Sequence, residues 1–206
     1  MSFKINMPSV QSGPSQIGPS KSYYETQARF QSILENKLNV KATPDVTETS
    51  KVSRAKTEDQ GFDAQNVLLK SGVSADALNE KLEGTALAGL GNDFVAAEQK
   101  YGINAWFLTG LAIHESGFGT SRIAQDKNNI FGFRAYDATP YSSAAQFDSR
   151  GDSIDKVAQY LAEHYTNPSG KYFNGISVDA IGKRYATDPN WSNALQSRVA
   201  QLMKLG

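Results

Sequence analysis

The stretch NAWFLTGLAIHESGFGTS, residues 104–121, decides how the chain reads. It opens with a mostly apolar run that predicts a helix from about Asn104 to Ser116, packed in a core. Leu108, Leu111, Ala112 and Glu115 fall at i, i+3, i+4 and i+7. Glu115 therefore continues an apolar stripe and faces the core or a cleft. A carboxylate there loses hydration when ionised, so burial favours the neutral acid and raises its pKa. An acid that keeps its proton near neutral pH can donate it to a leaving oxygen. Gly117 predicts a helix stop through a positive φ, and Gly119 predicts close approach of a bulky ligand. Thr120 and Ser121 then cap a following turn. The competing interpretation leaves Glu115 at a frayed helix end in water, and spacing alone does not separate the two. His114 reads as a surface or packing neighbour.

Outward from this stretch, more helices are legible. SADALNEKL starts at Ser74 as N-cap, and NDFVAAEQKYG starts at Asn92 or Asp93 and stops at Gly102. SIDKVAQYLAEHY places Ile154, Val157, Tyr160, Leu161 and Tyr165 on one face. SVDAIGKRYA starts at Ser177, and WSNALQSRVAQLMKL starts at Asn190 or Ser192. NIFGFRAY has strand-like aromatics around Gly132 and predicts a short hairpin with AAQFDS. The composition changes near Gly72. Residues 72–206 are therefore expected to form one mainly α (α+β) domain, and residues 1–71 a flexible tail. Residues 1–21 and 40–61 are too polar to bury a core and predict disorder. Between them Tyr23, Phe30, Ile33, Leu34 and Leu38 predict a short amphipathic helix.

Composition excludes several classes. Lys plus Arg and Asp plus Glu are both 21 in 206 residues, so no global field draws the chain to nucleic acid or an anionic membrane. There is no cysteine, hence no disulfide or thiol chemistry. With two histidines in the whole sequence, neither a metal site nor another cofactor is expected. No stretch approaches the ~20 apolar residues of a membrane span, and the N-terminus lacks the apolar core of a signal peptide. Work outside the cell would then require another delivery route.

The block YGINAWFLTGLAIHESGFGTSRIAQDKNNIFGFRAYD, with ALNEKLEGTALAGLG before it and AYDATPY and RYATDPNW after, resembles the signature of bacterial glucosaminidases of glycoside hydrolase family 73. These are catalytic domains of cell-wall autolysins and of some flagellar muralytic proteins. The resemblance runs from about Gly72 to the C-terminus. It implies a lysozyme-like fold with a cleft and a small β-hairpin. It also implies cleavage of the β-1,4 bond between N-acetylglucosamine and N-acetylmuramic acid in peptidoglycan. Glu115 matches the catalytic acid of that family, and Tyr185 matches the tyrosine of its YATDP motif, which shapes the reacting subsite. Asn128, Asn129, Phe131 and Gly132 match a block that walls the cleft.

The residues themselves suit such chemistry. Sugars bind flat aromatic faces and side-chain amides. Tyr136, Tyr141, Tyr185 and Trp191 can supply the first, Asn128 and Asn129 the second. Each aromatic equally suits core packing, and the asparagine pair a plain turn. A glycosidase usually adds a second carboxylate. The hairpin region contains no glutamate, which leaves Asp137 and Asp148 as candidates, each also readable as a turn aspartate. Asp188 reads as a turn initiator before Pro189. Without a positioned carboxylate, the acetamido group of the substrate can attack instead. Retention and inversion both stay open. The alternatives in function are a lytic transglycosylase using the same glutamate, and a non-catalytic wall-binding or assembly protein. The expected partner is the peptidoglycan strand, and the expected location the cell wall. FQSIL, residues 30–34, is similar to short segments of flagellar export substrates. It points to delivery by flagellar export or with rod components, with a phage particle as the competing route.

Overall fold

A helix buried on nearly every side organises the molecule. The structure, a computed structural model, describes residues 61–135 and 139–204. The expected tail helix, Tyr136 and Asp137 lie outside the described residues. In chain order the elements are α1 (Ala75–Leu82), α2 (Gly91–Tyr101), α3 (Ala105–Ser116), α4 (Arg122–Lys127), α5 (Pro140–Ser143) and α6 (Arg150–Leu161). A π-helical turn (Ala162–Thr166), α7 (Val178–Tyr185) and α8 (Trp191–Met203) follow.

Helix α3 carries the stretch that opened the sequence. Every residue of it is buried except His114 and Glu115, which keep partial solvent access. A helix that is apolar all round belongs in a core. Asn104 fixes its start: its side-chain oxygen accepts from Phe107 N, and Nδ2 donates to Gly61 O and Leu69 O at 3.2 and 2.7 Å. Gly117 ends it in the left-handed region at φ 57°. The next residues fold back on the helix end. Ser116 Oγ donates to Ala112 O and accepts from Gly119 N at 2.7 Å. Gly119 serves packing rather than ligand access, contrary to the sequence expectation. A Cβ on it would lie 2.8 Å from Leu87 Cδ2 and 3.2 Å from the Ala86 backbone.

Helix α8 crosses α3 at Gly110, where a Cβ would come within 2.4 Å of Val199 Cγ2. Such an approach is open only to glycine. On the other flank α2 packs against α1, α3 and α6. Ser74 and Ser177 cap α1 and α7 as their spacing predicts, and Gly102 stops α2 at φ 74°. Helix α2 begins at Gly91 without a side-chain cap, so neither Asn92 nor Asp93 plays that part. The capping box of Ser149 and Asp152 starts α6 at Arg150, earlier than the apolar pattern suggests. Residues 61–71, which the sequence grouped with the tail, join the packed unit. Val67 is fully buried, and Ser71 donates through N and Oγ to the Glu98 carboxylate at 2.7 and 2.6 Å.

The mainly helical class holds, but the small β-hairpin is not formed among the described residues. There is no strand among the described residues. The two segments do lie side by side, with Ala145 N donating to Phe133 O at 2.9 Å. Regular pairing stops there for two reasons. Gly132 and Arg134 take φ of 60° and 61°, which breaks the extended backbone. Asn129 also inserts its side chain where a ladder bond would run. Its Nδ2 donates to Phe133 O and Ala145 O, and its Oδ1 accepts from Phe133 N.

Candidate active site

Glu115 lies one residue before the last of α3, with its carboxyl group packed in protein and limited contact with solvent. Trp191 Nε1 donates to Glu115 Oε1 at 3.0 Å. Burial pushes the Glu115 pKa up to about 7, and the Trp191 hydrogen bond opposes that shift by favouring the ionised form. The result is an acid poised between its two states at neutral pH.

Local structure sets Trp191 in place. Asp188 makes an Asx turn, its Oδ1 accepting from Asn190 N at 2.8 Å and its carbonyl accepting from Trp191 N at 3.2 Å. Trp191 is therefore the first residue of α8, and it is buried. Gly182 of α7 lies against the indole; a Cβ there would fall 2.9 Å from Trp191 Cε3. The α3–α8 crossing at Gly110 and the α7 contact at Gly182 together fix where the indole N–H points.

Tyr185 is also buried. Its ring lies 5.1 Å from Trp191 and 5.7 Å from Tyr165. Its hydroxyl has no hydrogen-bond partner. Burial holds it protonated well above the usual phenol range, and the Glu115 charge adds to that effect. It is thus a neutral donor, unspent, within electrostatic reach of Glu115. His114 stacks edge-on against Trp191 at 6.2 Å, and its buried Nδ1 has no partner either. Burial lowers the His114 pKa, as does Arg198, while Asp188 opposes the change. The imidazole is neutral where Glu115 works.

The remaining candidates occupy a second cluster around the α4–α6 loops. Asn128 takes φ 54° and donates through Nδ2 to Phe147 O and Asp148 O at 3.1 and 3.0 Å. The amide of Asn129 is spent on the backbone of Phe133 and of Ala145 in the facing segment, as described above. Phe131 is buried, and Gly132 has open space around a hypothetical Cβ. Tyr141 is half-buried; its hydroxyl donates to Asp126 Oδ2 at 2.9 Å, and the Arg122 guanidinium sits 4.1 Å from its ring. Those contacts hold Asp126 below the usual carboxylate range. Asp148 is exposed.

A run of rings links the two clusters: Phe133 to Tyr160 at 5.2 Å, Tyr160 to Tyr165 at 6.1 Å, and Tyr165 to Tyr185 at 5.7 Å. Spacing places Tyr160 and Tyr165 on one helix face and assigns them no part in the site. They reach it because the π-helical turn rotates Tyr165 onto Tyr185. No residue pattern in AEHYT announces such a turn. Among the described residues, no group of three or more His, Asp or Glu converges as a metal site. No described helix is long and apolar enough to cross a membrane. On the α7 side of Trp191 a cavity of about 470 Å³ opens between α7, the Thr187–Pro189 loop and the start of α8.

The described residues thus set a buried acid, held by an indole, at the end of a core helix in a helical frame. The profile of the glucosaminidase family, described as mannosyl-glycoprotein endo-beta-N-acetylglucosaminidase, matches residues 91–204, and the chain belongs to that family. It is 34% identical over 158 residues to a putative endo-beta-N-acetylglucosaminidase of Streptococcus pneumoniae, a match covering 71% of this chain and 24% of that protein. It is 28% identical over 146 residues to a bifunctional autolysin of Staphylococcus aureus, covering 59% of this chain and 12% of the relative. The chain thus spans at most about a quarter of the length of these relatives. The fold is shared with S. aureus Autolysin E at TM-score 0.55 and 20% identity, over 85% of this chain and 90% of that one. That neighbour was crystallised as a catalytic mutant with the disaccharide NAG-NAM, and also with the muropeptide NAM-L-Ala-D-iGlu.

Proposed function

We propose that the chain hydrolyses peptidoglycan as an endo-β-N-acetylglucosaminidase, cleaving the β-1,4 bond between N-acetylglucosamine and N-acetylmuramic acid. The observation that carries this is the state of Glu115, an acid held near pKa 7 at the edge of the core with its orientation fixed by Trp191. Membership of the glucosaminidase family supports it. Glu115 donates its proton to the bridging oxygen as the bond to C1 breaks, so the muramyl sugar leaves as an alcohol. The positive charge that develops on the glucosamine ring is met by the Glu115 carboxylate that proton transfer leaves.

The second group of the reaction is assigned to Asp137 or to the substrate acetamido itself. The acetamido route retains configuration. The experiment is mass spectrometry of muropeptides released from purified peptidoglycan. Reducing N-acetylglucosamine ends are expected. Exclusively 1,6-anhydro ends would make the protein a lytic transglycosylase, and no release would leave it a wall-binding protein. The proposal extends to delivery to the wall by flagellar export, supported by the FQSIL segment outside the described residues. Unchanged secretion of a chain lacking residues 1–40 overturns that part and favours a route such as a phage particle.

A further inference from the structure

We propose that His114 is a positioning residue for the glycosidase reaction: its ring, set edge-on against Trp191, keeps the indole N–H on the Glu115 carboxyl. This rests on the glycosidase reading above and deepens it, from the acid to the contact that aims its hydrogen-bond donor.

Successive side chains leave an α-helix about 100° apart. His114 and Glu115 are successive on α3, so a group that touches both must lie across the end of that helix. Trp191 does so. Its Nε1 donates to Glu115 Oε1 at 3.0 Å, and its ring lies 6.2 Å from the His114 ring at an interplanar angle of 85°. Edge-to-face ring pairs at such a separation attract. Tyr185 flanks the indole at 5.1 Å and 34°, and Gly182 meets its Cε3 edge. Both of those contacts come from α7. His114 meets the indole from α3, the helix that carries the acid. A shift of α8 against α3 that draws the N–H off the carboxyl also disturbs the ring contact, so the contact keeps donor and acceptor in register.

Packing, not charge, is the means. His114 Nδ1 is buried without a hydrogen-bond partner, so no bond at that nitrogen places the ring. Burial and Arg198 of α8 favour the neutral imidazole, against Asp188 in the loop before α8. Tyr185 on α7 keeps its proton. A neutral ring acts on Glu115 through the indole it holds. An indole released from that ring donates to the carboxylate for less of the time. The Trp191 bond lowers the Glu115 pKa, so loosening it raises that value.

The chain has two tryptophans, Trp106 and Trp191, so a proton–nitrogen correlation spectrum of the full-length protein holds two indole signals. Trp191→Phe assigns them, and buried Trp106 is the internal reference for an intact core. In the wild type the Trp191 signal should titrate with Glu115, at a midpoint of about 7, and lose that titration in Glu115→Gln. His114→Leu keeps apolar bulk in a helix-favouring residue and removes the flat ring. Its midpoint should lie about half a pH unit or more higher, a fraction of what a hydrogen bond to a charged group supplies. His114→Gln, which also lacks the ring packing, should do the same. His114→Phe restores a flat ring without a titrating group and should return the midpoint to the wild-type value. The pH at which kcat/KM on peptidoglycan declines should follow the same order, and adding His114→Leu to Trp191→Phe should move it no further. A wild-type midpoint in His114→Leu overturns the proposal, as does a His114→Phe midpoint shifted like that of His114→Leu, or an equal shift of the rate profile with and without Trp191. The indole titration needs no substrate. The expected midpoints in a protein that releases no reducing ends would uphold the His114 contact and overturn the glycosidase reading.

Discussion

Replacing Glu115 by glutamine separates catalysis from stability, and the two should move in opposite directions. The side chain keeps its shape, and its amide oxygen can still accept from Trp191 Nε1. What it loses is the ionisable proton. In the folded protein the Glu115 pKa is about 7, against 4.5 for the free side chain. The folded state therefore binds this proton more tightly than the unfolded chain does. Between those two values the native protein carries more protons than the unfolded one, so stability falls as pH rises through the window. The contribution is fully present below about pH 4.5 and lost above about pH 7. At ~1.36 kcal/mol per pKa unit, a shift of this size corresponds to about 3 kcal/mol, an upper figure given the residual solvent contact. Glutamine has no such term. The stability of Glu115→Gln relative to wild type should thus rise by about 3 kcal/mol between pH 4 and pH 8. In melting temperature that is roughly 10 °C for a domain of this size. Thermal or denaturant unfolding of both full-length proteins at the two pH values measures it, and other titrating groups cancel in the difference. Hydrolysis should fall ~10²–10⁴-fold at the same time. A stability difference independent of pH would refute the premise, because it would mean that the Glu115 carboxyl titrates as it does in water.

Three further outcomes are expected. The wild-type kcat/KM should decline as pH rises through about 7, the value to which burial brings Glu115; in Trp191→Phe, which lacks the N–H that favours the carboxylate, the pH–rate profile should place this decline at higher pH. Gly110→Val should destabilise by about 1–3 kcal/mol through overpacking against Val199 Cγ2, and adding Val199→Ala should restore much of that in denaturant midpoints. Asp148→Asn should keep turnover within about twofold, as for an exposed side chain away from packed features, since the Asp148 contact seen is its backbone carbonyl with Asn128; a loss of a hundredfold or more in muropeptide release would restore it as the second carboxylate.

The parts of this fold that were legible in the sequence are those set by neighbours in the chain. Ser74, Asn104 and Ser177 lie where a helix must begin, and Gly102 and Gly117 where one must end, because each satisfies or frees a backbone group within a few residues. The errors arose where a distant partner settled the matter. Ile130 to Phe133 has the composition of a strand, yet Asn129 takes the bonds a partner strand would have made. Gly119 reads as room for a ligand because Leu87, which fills that room, precedes it by two helices.

The active acid illustrates the same division. The stripe of Leu108, Leu111, Ala112 and Glu115 suggested a buried face, but α3 is buried all round, so the stripe had no opposite face to be distinguished from. Position on the helix made Glu115 available for desolvation. Its orientation came from Trp191, far along the chain and placed by an Asx turn and two glycine contacts. By residue type Trp191 reads as a sugar platform; in the structure the indole is buried and its N–H is committed to Glu115. A hydrogen bond to the ionised form opposes burial, since it lowers the pKa that burial raises. The two effects together leave the group near 7 rather than far above it. A carboxyl pushed higher would hold its proton too firmly to release it to a glycosidic oxygen, and one left in water would have none to give at neutral pH. Burial on α3 supplies the proton, and the indole N–H stabilises the carboxylate that remains after the proton has gone.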